Sequence, residues 1–102
     1  MINVVAVITA QPGQRDKILQ AFAANRAAVL AEAGCIEYSA VIDAAGLPPS
    51  RGSLGADTLM VLEKWESLAA LQAHGKSAHM AAYSAKTREF TAKVAIHILE
   101  PV

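Results

Sequence analysis

The order in which strand-like and helix-like hydrophobic patterns follow one another is the feature that most constrains this chain. Short β-branched or alternating runs predict strands, and apolar residues that recur every three to four positions predict helices. The predicted strands are Ile2–Ala10, Cys35–Asp43, Thr58–Trp65 and Lys93–Glu100. The predicted helices are Gln14–Ala33, a short one capped by Ser67 that ends at Gly75, and one capped by Ser77 that runs to about Phe90. Strand, helix, strand, strand, helix pair, strand is the split βαβ order of a ferredoxin-like α+β fold.

Length and composition favour one small domain. We expect residues 1–102 to form a single domain, because this length supports one hydrophobic core. Nine basic and nine acidic residues cancel and are spread along the chain, so no basic stripe is available for a nucleic acid partner. The single cysteine, Cys35, excludes an internal disulfide and a Cys-rich zinc site.

The N-terminal segment is predicted to be a strand and not a targeting signal. The apolar run Ile2–Ile8 is too short to cross a bilayer, and it lacks a basic region before it and a small-residue cleavage site after it. We therefore expect no membrane partner and a cytoplasmic location.

One face of the predicted sheet needs a cover. If both helical elements lie on the same face, the other face is left open, yet Val, Ile and Leu occupy both faces of the first and last strands. A second copy of the same face, related by a two-fold axis, covers it. The pattern therefore predicts a homodimer with two sheets packed face to face.

The longest irregular segment is Ala44–Asp57, which carries three glycines and the pair Pro48-Pro49. A loop of this length without periodicity favours a function such as a lid or a dimer contact.

Candidate functional side chains cluster in and after the third strand. Glu63 and Trp65 are two apart on a strand and so share a face. His74 lies near the end of the short helix, and His79 and Tyr83 are four apart on the next one. If those helices cover the face of Glu63 and Trp65, the five side chains meet at one pocket.

Each of the five also has a structural interpretation. Trp65 and Tyr83 are typical core residues, and histidines near helix ends are often structural or solvated. Glu63 is harder to dismiss, because a buried carboxylate without a partner costs several kcal/mol. A histidine partner satisfies it either as a structural hydrogen bond or as a catalytic pair, and both alternatives stay open. Histidine is the residue type best suited to general-base catalysis near neutral pH, so either histidine is a candidate base.

Several kinds of site are disfavoured by spacing. His74 and His79 are five apart, which differs from the four-residue spacing that directs two helical ligands at one ion, so no metal is predicted. Neither the phosphate-binding glycine motifs nor G-x-S-x-G is present.

The segment around these residues resembles a known family. The pattern E-x-W-x-S-x-x-A-L-x-x-H runs from Glu63 to His74 and is followed by Ser77-Ala78-His79-Met80-Ala81-Ala82-Tyr83. Together with Pro12-Gly13, Glu32-Ala33-Gly34-Cys35, the long loop and the ending Ile98-Leu99-Glu100-Pro101, it is similar to the antibiotic biosynthesis monooxygenase domain family. Within that family the chain most resembles the quinol monooxygenases.

The resemblance implies a dimeric α+β barrel and an oxygenation that needs no cofactor. In that chemistry a base deprotonates a hydroquinone or a similar aromatic diol, and the phenolate passes an electron to O2. The radical pair combines to a peroxide, which collapses to a quinone. The resemblance implies that Trp65, His74, His79 and Tyr83 are pocket residues. Within that pocket we expect His74 or His79 to be the catalytic base, with Glu63 orienting it, and Trp65 and Tyr83 to bind the substrate.

Two alternatives of different classes remain. Relatives in the superfamily isomerise small phosphorylated signalling molecules in a pocket that is also rich in His and Tyr. A dimer that binds an aromatic metabolite without turning it over is the other alternative. Haem degradation is disfavoured, because Tyr83 and Ala6 stand where the haem-degrading relatives have a histidine ligand and an asparagine.

Overall fold

The predicted order of elements is confirmed by the computed structural model, which describes residues 1–48 and 52–102. The strands are β1 Ile2–Ala10, β2 Cys35–Val41, β3 Thr58–Trp65 and β4 Thr91–Leu99. The helices are α1 Arg15–Leu30, α2 Leu68–Gly75 and α3 Ala78–Thr87, and a 3-10 turn, Arg88–Phe90, joins α3 to β4.

The four strands form one antiparallel sheet in the order β2-β3-β1-β4. β1 pairs with β3 from Ile2 opposite Trp65 to Thr9 opposite Thr58. On its other edge β1 pairs with the last strand of the chain, β4. This order and the βαββαβ connectivity are those of the ferredoxin-like α+β fold, so the predicted fold class is confirmed.

The core lies between the sheet and the helices. Alternate residues of β1 and β3 are buried on the helix side, which is the period-2 burial of a half-covered strand. Ile18, Phe22 and Val29 of α1 pack onto this surface. Trp65, Ile18, Leu59 and Val29 are the largest side chains that are fully buried.

Helix α1 ends earlier than the hydrophobic pattern predicts. The backbone N–H groups of Ala31 and Glu32 bond to the carbonyl oxygens of Ala27 and Val29 and close the helix after Leu30. A tight turn then reaches Gly34, whose φ of +82° is available to glycine at little cost. The side chain of Glu32 therefore projects from a turn and not from a helix.

The caps of α2 and α3 are confirmed. Ser67 Oγ accepts a hydrogen bond from the backbone N–H of Ala70 at 3.1 Å, and Ser77 Oγ accepts one from Met80 at 3.4 Å. Between Gly75 and Ala78 the chain bends sharply from one helix into the next. His74 and His79 therefore flank the bend.

Two apolar surfaces stay open in a single chain. Val94, Ile96 and Ile98 share the helix side with their β1 partners, yet they are 49%, 62% and 57% exposed because none of the described helices covers β4 there. On the opposite side of the sheet, none of the helices in residues 1–48 and 52–102 covers the alternate residues, among which Val5 pairs with Leu62 and Val7 with Met60.

Hydrogen bonds to Asp43 join the two ends of the long loop Ala44–Asp57. Asp43 accepts hydrogen bonds from the backbone N–H groups of Leu54 and Gly55, each at 2.9 Å, and these donors lower the pKa of its carboxyl group. The proposed role of Pro48-Pro49 as a lid or a dimer clasp involves Pro49, which lies outside the described residues. Among the described residues, no helix has the length and apolar character needed to cross a membrane.

Candidate functional site

Glu63 lies at the floor of the site on the helix side of β3, and Trp65 is buried beside it on the same face. Trp65 is fully buried, and its indole N–H donates a 2.9 Å hydrogen bond to Glu63 Oε1. Burial raises the pKa of the Glu63 carboxyl group, and the hydrogen bond from Trp65 and the charge of His74 oppose that rise in part. Glu63 is therefore a desolvated carboxyl group with an elevated proton affinity.

His74 lies directly above this pair. It occupies the last turn of α2 and is only 6% exposed. Its ring centroid is 4.6 Å from that of Trp65 and 5.7 Å from that of Tyr38, and the His74 and Tyr38 rings meet in a T-shaped arrangement. Its Nε2 atom is 4.0 Å from Glu63 Oε1. Glu63, Trp65 and His74 thus lie close together, as the sequence predicts.

Glu32, which the sequence did not single out, is the nearest carboxylate to His74. Its Oε2 atom lies 2.8 Å from His74 Nδ1. Its side chain is 14% exposed, and it reaches the site from the turn that ends α1. The imidazole of His74 therefore stands between two carboxyl groups, with Glu32 at Nδ1 and Glu63 on the Nε2 side.

His79 contacts the outer side of the same carboxylate. Its Nε2 atom is 2.9 Å from Glu32 Oε2 and 3.3 Å from Ser77 Oγ. With 30% of its side chain exposed, it is the most accessible member of the group. His79 joins the site through Glu32, whereas His74 contacts the floor directly.

A divided cleft opens between α3, the sheet and the exposed strip of β4. Its two parts have volumes of about 430 Å³ and about 400 Å³ and share Glu63, Met80, Ser84 and Ile96 as lining residues. Tyr38 and Tyr83 line the larger part, and His74 lines the smaller part. The lining is chiefly apolar, with Glu63 as the carboxyl group common to both parts. A cleft of this size accommodates a small aromatic ligand.

The two tyrosines are held in their neutral form. Burial raises the pKa of the Tyr83 hydroxyl and that of Tyr38, where the charge of Glu63 adds to the effect. Tyr38 is stacked on Phe22 at a centroid distance of 4.8 Å. A neutral phenol can donate a hydrogen bond to a substrate oxygen, and Tyr83 lines the same cavity as Glu63.

Glu32, His74 and His79 also have the composition of a metal site. Their donor atoms lie within 4.8 Å of one another, and no other such cluster occurs in residues 1–48 and 52–102. A five-residue spacing disfavours a shared ion only within one helix, whereas His74 and His79 belong to different helices and Glu32 supplies a third donor. The two short contacts to Glu32 Oε2 satisfy the cluster by hydrogen bonding alone, so nothing in its geometry requires an ion.

Sequence reasoning missed Glu32 and Tyr38 for two different reasons. Glu32 is 42 residues from His74, and no local period connects them. The available signal was its place just before Gly34, at the point where a helix returns to the sheet. Tyr38 stands at a core position of a short strand, where an aromatic residue is ordinarily structural.

Comparisons with known proteins agree with this architecture. The family model described as antibiotic biosynthesis monooxygenase matches residues 1–86. The chain is 39% identical to a protein named probable quinol monooxygenase YgiN of Escherichia coli, over 99% of this chain and 98% of that one. Among solved structures, PA3566 from Pseudomonas aeruginosa matches with a TM-score of 0.80 and 27% identity, covering 99% of this chain and 93% of that one. Rv0793 from Mycobacterium tuberculosis matches with a TM-score of 0.80 and 26% identity, covering 99% and 94%. The chain is a member of the antibiotic biosynthesis monooxygenase family.

Proposed function

We propose that this protein is a cofactor-independent quinol monooxygenase that oxidises a hydroquinone or a similar electron-rich aromatic diol with O2. The observation that carries the proposal is the pairing of the buried Glu63 carboxyl group with His74 in an apolar cleft. The 39% identity to a protein named as a probable quinol monooxygenase supports the choice of substrate class.

The first step is removal of a phenolic proton. A hydroquinone in the cleft presents one hydroxyl group to Glu63 and His74, and the proton is held at His74 Nε2. An imidazole is suited to this step because its proton affinity is matched to neutral pH. Glu63 orients the hydroxyl group and faces the charged ring that results. His79 lies behind Glu32 and is the less favourable of the two predicted bases.

The following steps are electron transfers between substrate and oxygen. The phenolate gives one electron to O2, and the semiquinone and superoxide combine at a ring carbon to form a peroxide. The O–O bond then breaks, one oxygen atom stays on the ring, and the other leaves as water, which takes up the stored proton and the hydrogen lost from the oxygenated ring carbon. Hydroquinone and O2 thus yield a hydroxylated quinone and water, so the balance requires no flavin, metal or nicotinamide.

The rest of the cleft binds and protects the substrate. Trp65 holds Glu63 in position by its indole hydrogen bond, and Tyr83 lines the larger cavity as a neutral hydrogen-bond donor. Met80 and Ile96 supply apolar surface on either side. This apolar lining reduces the water in contact with the bound ring, which favours combination of superoxide with the ring over its escape.

Oxygen uptake tests the proposal. Chelator-treated protein is given a panel of hydroquinones, and consumption of O2 and release of H2O2 are both recorded. We expect O2 consumption without matching H2O2, a rate reduced about 100-fold or more in Glu63→Gln and in His74→Gln, and an unchanged rate in Glu37→Gln. Glu37 is a suitable control because it lies on β2 outside the cleft, in a half-exposed ion pair with Lys64. Absence of uptake across the panel contradicts the proposal.

Isomerisation of a small phosphorylated molecule is the second candidate, and one observation favours it. Arg88 and Lys93 line the larger cavity and could neutralise a phosphate group. The same acid–base pair would then shuttle a proton between two substrate carbons, and turnover would not depend on oxygen.

A protein that binds a quinol tightly but consumes neither O2 nor substrate would instead be a binding module.

We also propose that the working unit is a homodimer of single-domain chains in the cytoplasm. The support is the uncovered face of the sheet around Val5, Val7, Met60 and Leu62, which a second copy of that face would cover. In that arrangement the two clefts lie on the outer, helical sides of the dimer, so each copy keeps its own site.

A further inference from the structure

The Glu32 carboxylate has the geometry of a partner for a catalytic imidazole. It lies against His74 Nδ1 at 2.8 Å, on the side away from Glu63, and is largely buried. We propose that Glu32 is a positioning residue that fixes the tautomer of His74 and offsets the positive charge that the ring acquires during turnover. This role rests on the proposed function, in which His74 holds the substrate proton.

The tautomer follows from what a carboxylate can do. An ionised carboxylate accepts hydrogen bonds and donates none, so the 2.8 Å contact requires the proton of neutral His74 to be on Nδ1. The lone pair of Nε2 is then directed to the side of Glu63 and the cleft. The opposite tautomer would leave Nδ1 and Glu32 facing each other as two acceptors. Glu32 thus determines which nitrogen is free to take a proton.

Protonation during turnover places a positive charge on the His74 ring. His74 is surrounded by Trp65, Tyr38, Glu63, Glu32 and His79, and only 6% of it is exposed. An imidazolium in such a place loses most of its hydration, which is costly unless a counter-charge is in contact. A charge-assisted hydrogen bond to Glu32 supplies that counter-charge, as the buried aspartate does for the histidine of serine proteases.

His79 completes the arrangement from outside. Its Nε2 atom contacts the same oxygen of Glu32 as His74 does, and Ser77 Oγ is within 3.3 Å. A second donor on Oε2 restricts the rotation of the Glu32 side chain and keeps this oxygen directed at His74. His79 accordingly acts through Glu32, and its loss should cost less than the loss of Glu32.

Imidazole 15N NMR of the full-length, substrate-free protein tests the tautomer directly. His74 is assigned by the disappearance of its signals in His74→Gln. We expect a single Nδ1–H tautomer for neutral His74 in the wild-type protein and a mixture or the Nε2–H form in Glu32→Ala. Glu37→Ala should leave the wild-type spectrum unchanged. An Nε2–H tautomer in the wild type, or an unaltered tautomer in Glu32→Ala, overturns the proposal.

Kinetics separate a positioning role from a structural one. Glu32→Gln keeps an oxygen acceptor but removes the charge, so we expect kcat to fall about 100-fold while KM changes little. Glu32→Asp should recover part of the loss, and His79→Gln should cost less than Glu32→Gln. All assays contain a chelator, so that an ion bound at Glu32, His74 and His79 cannot account for the result. An unchanged kcat in folded Glu32→Gln shows that the residue is only structural and overturns the proposal.

The oxygen-uptake and NMR experiments distinguish an error in the proposed function from an error in the role of Glu32. If wild-type protein consumes no O2 with any quinol, the proposed function is wrong, and the NMR result still decides whether Glu32 sets the tautomer. If O2 is consumed and the tautomer does not depend on Glu32, the proposed function stands and the role of Glu32 is wrong.

Discussion

At the scale of single residues, the site depends on a carboxyl group placed where the solvent cannot stabilise its charge. Glu63 lies on the buried side of a central strand, and its compensation is one hydrogen bond from Trp65 and the nearby ring of His74. That arrangement makes the Glu63 carboxyl group a candidate for proton transfer, and it also lowers the stability of the folded protein. Substitutions at Trp65 and at Glu63 separate these two consequences.

Trp65→Phe should destabilise the protein by about 1–3 kcal/mol, because it removes the hydrogen bond to a buried carboxyl group. The same hydrogen bond lowers the pKa of Glu63, so that pKa should rise further in the variant. Urea unfolding must be followed by circular dichroism, since Trp65 is the only tryptophan. The cost of Trp65→Phe should be smaller when it is made in the Glu63→Gln background. An equal cost in both backgrounds would show that the hydrogen bond to the charged carboxyl contributes nothing.

Glu63→Gln should change how stability depends on pH. Because burial raises the pKa of Glu63 in the folded protein, the folded chain binds this proton more tightly than the unfolded chain does. The stabilisation is complete below about pH 4, where an unfolded glutamate is protonated, and is lost as the pH rises through the folded pKa. Unfolding measured at several pH values should therefore show the wild type losing stability relative to the variant as the pH rises above about 4. A constant difference between the two proteins would contradict the raised pKa.

At the scale of elements, the turn between α1 and β2 positions Glu32. Gly34 has φ +82°, and a Cβ atom built on it would lie 2.7 Å from Ala70 Cβ of α2. Its carbonyl also accepts a hydrogen bond from the N–H of Glu66 at 2.8 Å. The absence of a side chain at residue 34 thus lets the turn approach the helix that carries His74.

Gly34→Ala should destabilise the protein by about 2–5 kcal/mol, the sum of a left-handed backbone conformation and overpacking against α2. Gly13→Ala is the matched control, since Gly13 has φ +76° and a Cβ there meets nothing within 4 Å. It should cost only the backbone part, about 1–2 kcal/mol. Adding Ala70→Gly to Gly34→Ala removes the contact but introduces a helical glycine, and should restore part of the loss. Equal costs for the two single variants in thermal unfolding would contradict the close approach.

Local patterns predicted the elements well because hydrophobic periodicity and caps are local properties. β1 and β3 were predicted with the observed bounds, and Ser67 and Ser77 cap the helices as expected. The errors lie at the ends of elements, such as the end of α1, which local backbone hydrogen bonds close after Leu30, and the start of β4 at Thr91, which is set by its pairing with Ala10. Within the site, residues near the E-x-W signature were found, whereas Glu32 was missed because only the fold brings it to His74.

At the scale of the whole molecule, the helices cover one side of the sheet and leave the other side to be covered by something else. Val5 and Leu62 are partners in register on the open side, and Val7 and Met60 are the next pair. A patch of this kind on a monomer is typically an interaction surface. One chain forms the whole sheet and its helical cover on one side, but it leaves an apolar face uncovered on the other side.

Leu62→Glu should convert a dimer into a monomer, because it places a charge at the centre of the proposed interface. Sedimentation of the wild type should give twice the mass of the chain, and that of the variant should give a single mass. Leu68→Glu is the control, as Leu68 is 49% exposed on α2, on the helix side of the sheet, and should leave the dimer intact. A wild-type protein that sediments as a monomer would contradict the two-sheet arrangement.

The most direct test of the central claim is the fate of the oxygen atoms. Turnover of a hydroquinone under 18O2 in ordinary water, with metal and flavin removed, is followed by mass spectrometry of the quinone immediately after reaction. A monooxygenase that uses Glu63 and His74 as proposed gives a product with one 18O atom, and Glu63→Gln gives almost none. A quinone without label, accompanied by H2O2, would show simple oxidation without oxygen insertion and would contradict the account.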